Sequence, residues 1–239
     1  MSSELVGYAS PATQNPVKRV LLTAGPTYEP IDPVRFIGNH STGKMGYALA
    51  EAFAEAGFQV TLVSGPSALT VTHPAIELVR VQTAAEMYAA SAAAAPAADV
   101  WVFAAAVADY RPRTVAAEKI KKREDDTDET LAIELVKNVD IAATLGQTKR
   151  AEQFSVGFAL ETNEELAHAQ GKLRRKNFDL VVLNSLRDAG AGFRHDTNKV
   201  TLVEPDRVTP FELKAKADVA RDIVSVILTR LHARSAAHA

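Results

Sequence analysis

Two short runs, Gln59–Ser64 and Leu180–Asn184, are apolar almost throughout, and this limits the fold more than any other feature of the chain. A strand with one face in water alternates apolar and polar side chains. A run without that alternation is covered on both faces, the situation of a parallel strand between two layers of helix. Two further β-rich runs, Arg19–Ala24 and Val100–Ala106, and a candidate strand at Phe154–Leu160 share the chain with segments of helical length. Met45–Gly57 has apolar residues at helical spacing and Gly57 as its stop. Thr83–Ala95 is alanine-rich and helix-prone, although a general compositional bias also accounts for it. Helices are further expected from about Asn163 to Lys176, with Thr162 as cap, and from about Ala215 to Leu231. This alternation predicts an α/β protein: a Rossmann-like, doubly wound, mostly parallel sheet with ligands at the carboxyl ends of its strands. Lys199–Val203 and Val208–Leu213 flank a Pro-Asp-Arg turn and read as an appended β-hairpin.

A chain of 239 residues, 47% hydrophobic, can bury the core of one large domain. Residues 17–233 read as that domain, residues 1–16 as a disordered leader or linker, and residues 234–239 as a loose tail. The formal net charge of −2 provides no overall positive field, so neither nucleic acid nor an anionic membrane is an expected partner. The absence of cysteine excludes a disulfide scaffold, a thiolate metal site and a cysteine nucleophile. It fits a reducing compartment, and the expected location is cytoplasmic. The leader lacks the charged and apolar regions of a signal peptide, and no apolar run approaches the roughly 20 residues needed to span a bilayer. Glu118–Glu129 is almost wholly charged. It reads as a solvated flexible loop, which is also the usual material of a lid over a substrate.

The chemistry concentrates at strand ends. Between Ala24 and the helix near Met45 lies a connection far longer than the usual 2–6 or so residues. It carries Asp32, Arg35, Asn39, Ser41, Thr42 and Lys44, and it ends at a helix N-terminus, where free amides favour an anion. A plain surface excursion is the alternative. Gly38–Lys44 satisfies most of a P-loop, but Met45 stands where a hydroxyl would hold Mg²⁺, and the segment does not directly follow its strand. No GxGxxG follows the first strand, and Ser64-Gly65-Pro66 replaces the ribose-binding acid after the second. After the third strand, small residues at Ala104–Ala106 admit close approach of a ligand. Asp109 could there receive ribose hydroxyls or a metal, or serve only as a turn residue. Lys119, Lys121 and Lys122 sit in the charged stretch, and Lys172 and Lys176 share a helix face at i, i+4. Each lysine alone reads as a solvated charge; together they could meet a triphosphate. The six histidines show no paired-ligand spacing, and neither a Tyr-x-x-x-Lys pair nor a GxSxG elbow occurs.

Several of these segments together resemble the phosphopantothenate–cysteine ligase family. They are Thr23-Ala-Gly-Pro-Thr27, Asp32-Pro-Val-Arg-Phe36, Asn39-His-Ser-Thr-Gly-Lys-Met-Gly46, Val63-Ser-Gly-Pro66, Ala105-Ala-Val-Ala-Asp-Tyr110, Glu118-Lys-Ile-Lys-Lys122, Val156-Gly-Phe158 and Glu161-Thr-Asn163, in the family's order. The resemblance, to the bacterial CTP-dependent branch, runs from about Val17 to the last helix. It implies that 4'-phosphopantothenate and L-cysteine are joined in coenzyme A synthesis through an acyl-cytidylate, with release of CMP and pyrophosphate and with Mg²⁺ on the triphosphate. By motif, Asn39 handles the acyl-cytidylate and its reaction with cysteine, Lys119 serves its formation, and Arg35 touches phosphopantothenate. Ala105, Asp109, Asn138, Asp140, Ile141, Phe158, Lys172 and Lys176 match nucleotide-binding positions. At Val139 relatives often have proline, which leaves the shape of that turn open. The resemblance also implies a homodimer, with the 199–213 hairpin and its neighbours as candidate interface. It implies, too, an association with a flavin-dependent decarboxylase, behind which many bacteria fuse the ligase. No flavin domain is expected within this chain, and the leader would suit an interdomain linker. No residue discriminates CTP from ATP. A nicotinamide-dependent Rossmann reductase and a non-catalytic nucleotide-binding module remain as alternatives.

Overall fold

The computed structural model describes residues 18–121, 130–161, 163–185 and 195–237. The expected leader, Lys122 with most of the expected lid, and Thr162 lie outside the described residues. In chain order come β1 (Arg19–Ala24), β2 (Tyr28–Pro30), β3 (Phe36–Gly38), α1 (Lys44–Glu55), β4 (Gln59–Ser64), β5 (Ile76–Arg80), α2 (Ala84–Ala94) and β6 (Val100–Phe103). There follow β7 (Tyr110–Pro112), β8 (Leu135–Lys137), α3 (Ile141–Gly146), β9 (Phe154–Glu161), α4 (Glu165–Arg175) and β10 (Leu180–Ser185). Last are β11 (Thr197–Asn198), β12 (Val200–Val203), β13 (Val208–Pro210), β14 (Lys214–Ala215) and α5 (Lys216–Ala237).

Eight strands make one sheet in the order β13-β12-β10-β9-β6-β1-β4-β5. The strands from β5 to β10 in that order are parallel, and β12 and β13 add an antiparallel hairpin. The chain winds outward from β1 to β5, then returns to β6 and winds the other way. The reversal opens a crevice between the carboxyl ends of β1 and β6. Successive side chains of a strand point to opposite faces, and β1 shows the result. Val20, Leu22 and Ala24 join a buried cluster with Leu49 and Phe53 of α1 and Ile223 and Ile227 of α5. Leu21 joins the opposite cluster with Met87, Leu145 and Leu173 of α2, α3 and α4. Each fully buried leucine contributes on the order of 1.5–3 kcal/mol.

The long connection after β1 is largely ordered by a small hairpin, β2–β3, whose Tyr28 and Phe36 rings stack at 3.9 Å. The strand expected at Val100–Ala106 leaves the sheet at Phe103. Its alanines continue along the extension of β1, with the Ala106 N–H donating to the Gly25 carbonyl at 2.8 Å. A capping box between Thr83 and Glu86 starts α2, so its alanine richness is helix and not bias alone. The N-cap of α4 is Glu164 at φ 43°, not the expected Thr162. Helix α5 runs six residues past the expected Leu231, because its last turns are tied to the sheet. Arg230 pairs with Glu204 at 2.5 Å, Arg234 pairs with Asp179 at 2.6 Å, and Arg234 lies 4.9 Å over the Phe154 ring.

Candidate functional site

The crevice between β1 and β6 holds two adjoining clefts. The first encloses about 890 Å³, open solvent included, enough for a nucleotide. The chain from Ala105 to Asp109, after β6, forms one wall, and Phe158 of β9 another. The turn from Asn138 to Ile141 and the last turn of α4, with Lys172 and Lys176, complete it. All eight residues expected to bind nucleotide therefore meet in one cleft.

Local bonds explain how each wall is held. The Asn138 backbone N–H donates to the Asp109 carbonyl, and its side-chain amide donates to the Ala108 carbonyl, each at 2.8 Å. Arg111 donates to the Asn138 side-chain oxygen at 3.0 Å. These bonds hold the turn around Val139 in place. Asp140 caps α3, accepting from the Ala143 N–H at 3.0 Å, and pairs with Lys176 at 3.0 Å. Lys176 thus already faces a carboxylate that an incoming phosphate would have to share.

The second cleft, about 730 Å³, shares Ala105, Ala106 and Phe158 with the first. Its floor is the start of α1, where Gly43 holds the left-handed conformation at φ 81° as N-cap, with no side-chain cap. Close packing lets that helix reach the strand end, since a Cβ on Gly46 would stand 2.5 Å from the Ala24 Cβ. Opposite lie Asn184, Asn198 and Lys216. Lys216 is buried, and its ammonium donates to the His195 carbonyl at 2.6 Å. Burial, with the Lys44 charge adding to it, pushes the Lys216 ammonium below the usual lysine range, against the opposing pull of Asp196. Lys44 itself pairs with Asp196 at 2.5 Å. It opens α1 after a strand of the small hairpin, not after a strand of the main sheet, so the P-loop arrangement is not the one present. Asn184, Asn198 and Lys216 did not stand out in the sequence. Asn184, at the carboxyl end of a strand, carried a usable signal; Asn198 and Lys216 carried none.

Asn39 lines neither cleft. It sits exposed at their rim, its amide donating to the carbonyl of Ala106 at 3.0 Å, on the shared wall, and to that of Val107 at 3.1 Å, in the lining of the first cleft. Arg35 and Lys119 lie outside both linings but close to each other. Arg35 donates to the Ile120 carbonyl at 2.9 Å, and Lys119 is the exposed residue before Ile120. Asp32, buried beneath, accepts from Arg35 Nε at 3.0 Å and from its terminal nitrogen. The Arg35 guanidinium, helped by the backbone N–H groups of Val34, Ile120 and Arg35 and opposed by burial, holds the Asp32 carboxyl well below the usual carboxylate range. Among the described residues no group of three or more His, Cys, Asp or Glu forms a cation site, and no helix is long and apolar enough to cross a membrane.

The profile of the family described as "DNA/pantothenate metabolism flavoprotein C-terminal domain" matches residues 16–231. A protein of an unknown prokaryotic organism, named cysteine/cysteine sulfinic acid decarboxylase, is 48% identical over 223 residues, which are 92% of this chain and 61% of that one. The coenzyme A biosynthesis bifunctional protein CoaBC of Vibrio vulnificus (strain YJ016) is 46% identical over 212 residues, 89% of this chain and 52% of the relative. The chain thus spans about half the length of the CoaBC relatives it matches. The crystal structure of the C-terminal domain of a CoaBC protein superposes with a TM-score of 0.75 at 42% identity, covering 90% of this chain and 98% of that domain.

Proposed function

This chain belongs to the DNA/pantothenate metabolism flavoprotein C-terminal domain family, and we propose that it is the phosphopantothenate–cysteine ligase of coenzyme A synthesis, driven by CTP. The observation that supports this most is the meeting of Ala105, Asp109, Asn138, Phe158, Lys172 and Lys176 in one cleft at the point where the strand order reverses. Names of relatives in coenzyme A biosynthesis point the same way.

In the proposed reaction a carboxylate oxygen of phosphopantothenate attacks the α-phosphorus of CTP, and the bond to pyrophosphate breaks. The cysteine amine then attacks the activated carbonyl carbon, the bond to CMP breaks, and the nitrogen gives up its proton. Negative charge grows on the phosphates first and on the carbonyl oxygen second, so fixed cations and donors there lower both barriers. Lys172 and Lys176 would meet the phosphates, Asp109 the sugar and Phe158 the base. Lys119 would serve the first step, Asn39 at the rim the handling of the acyl-cytidylate, and Arg35 phosphopantothenate. Magnesium would spread the phosphate charge. The sparse acidic set fits an ion held mainly by the nucleotide's own oxygens, with Asp109 and Asp140 as the nearest carboxylates of the cleft.

Pyrophosphate release, followed with phosphopantothenate present and cysteine withheld, tests the reading. Rapid release is expected with CTP and little with ATP; none with either nucleotide would refute it. The decarboxylase activity in one relative's name belongs to a protein of which this chain spans 61%. Carbon dioxide evolved from cysteine sulfinate by this chain alone would favour that reading instead. Against a nicotinamide reductase, β4 ends at buried Ser64, which accepts from Tyr47 at 3.1 Å, where a ribose-binding acid would stand.

The reading extends to a homodimer. Exposed Val34, Phe36, Tyr110 and Leu135 gather on the β2–β3 and β7–β8 hairpins, which pack on one another. They outnumber Val208 and Leu213, the exposed large apolar residues at the expected 199–213 hairpin, so we favour this face as the one a second copy covers. The "bifunctional" relatives, about twice as long, support the further proposal that a flavin-dependent decarboxylase, fused or separate, consumes the product.

A further inference from the structure

Asp32 is a buried carboxylate used beyond what its own turn requires. Its side chain is wholly inaccessible. Oδ1 accepts the N–H groups of Val34 and Arg35, both at 2.8 Å, and closes the turn between β2 and β3. An asparagine oxygen would make that turn equally well. Oδ2 does something different. Besides accepting from Arg35 Nε at 3.0 Å, it accepts the backbone N–H of Ile120, 88 residues along the chain, at 3.1 Å. Arg35 donates to the carbonyl of the same residue at 2.9 Å, so Ile120 is gripped at both backbone groups. A second tie joins the Ala116 N–H to the Ile31 carbonyl at 2.9 Å. Burying a charged carboxylate is costly unless several donors meet it, and here the donors are drawn from two distant segments.

We propose that Asp32 is a positioning residue, clamping the 116–120 segment to Arg35 and so setting where the Lys119 side chain can reach. The proposal rests on the ligase reading, in which Lys119 serves the first half-reaction and Arg35 touches phosphopantothenate. Lys119 lies between the two ties and one residue from the gripped peptide. Arg35 and Asn39 are four residues apart on either side of β3, roughly 13 Å at about 3.3 Å per strand residue. The clamp therefore fixes the Lys119 backbone at the Arg35 end of β3.

The test uses the full chain and two readouts. In Asp32→Asn, hydrogen exchange of amides 116–121 is expected to quicken at least tenfold while those of β1 and β6 keep their protection. The kcat for pyrophosphate release from CTP is expected to fall at least tenfold, the KM for phosphopantothenate to rise, and CTP affinity to stay within twofold. A role in stability alone would lower the unfolding midpoint without this division between kcat and CTP binding. Should Asp32→Asn not fold, Ile120→Pro decides on the same readouts, because it removes the N–H that Oδ2 accepts and leaves the Asp32–Arg35 pair in place. Unchanged kcat and exchange in the folded variants, beside an active wild type, would overturn the proposal. A wild type that releases no pyrophosphate would instead refute the ligase reading, and the exchange result would still decide whether the clamp exists.

Discussion

Asn39 spends both N–H bonds of its amide on the carbonyls of Ala106, on the wall shared by the two clefts, and Val107, in the lining of the first. Its side chain is therefore oriented before any substrate arrives, with its Oδ1 acceptor as the group left to face one. Asn39→Ala is expected to bind CTP within about twofold of wild type and to lower the rate of amide formation on adding cysteine by about 10²–10³. Single-turnover product analysis checks this, and normal turnover would remove Asn39 from the mechanism. Ser91 gives a prediction of the opposite kind. Its hydroxyl is buried in α2 without a hydrogen-bond partner among the described residues, a burden that alanine would lift while also favouring helix. Ser91→Ala is expected to stabilise the protein by about 0.5–1.5 kcal/mol, read as a higher urea midpoint.

Helix α1 meets β1 so closely that Gly46 has no room for a side chain. Alanine would favour the helix by about 1 kcal/mol, but its methyl would collide with Ala24. Gly46→Ala is therefore expected to lose about 1–3 kcal/mol in urea unfolding; a gain would mean the contact relaxes freely. The elements most legible in the sequence were those with short runs rich in Val, Leu and Thr, β1, β4 and β10, and the amphipathic α1. Strands of three residues, as in β2–β3 and β7–β8, are too short to display a period, and β6 ended early because alanines carry little strand preference. Within the site, Asp109, Lys172 and Lys176 drew attention by position and charge. Asn198 and Lys216 reach the second cleft from elements remote in the chain, and such convergence is a tertiary property that local pattern does not record.

At the scale of the whole molecule, α5 spans the sheet from Lys216 in the second cleft to Arg234 at the opposite end. There Arg234 and Lys149 meet Asp179 at 2.6 and 2.9 Å. Burial pushes the Asp179 carboxyl up, but the bonds from Lys149, Arg234 and the Ser155 N–H outweigh it and leave it below its ordinary value. The unfolded chain then binds more protons than the folded one. This contribution is complete above an unfolded carboxyl value of about 3.9 and is lost as the pH falls through the lower folded value. Asp179→Asn is expected to lower stability at pH 7 by about 1.5–3 kcal/mol, since it removes the charge that Lys149 and Arg234 both meet, and to flatten the acid limb of a urea-midpoint profile. Light scattering at micromolar concentration is expected to give a dimer for the wild type and a monomer for Phe36→Asp. A monomeric wild type would leave the apolar hairpins without their proposed cover. The wall of Ala105, Ala106 and Phe158 belongs to both chambers of the crevice, and its alanines contribute only methyl groups to it. Fragments seated on either side would lie near enough to be tethered by a short linker. Such a compound would act at high effective concentration and could exceed either fragment in avidity by about 10²–10⁴ with no new contact made.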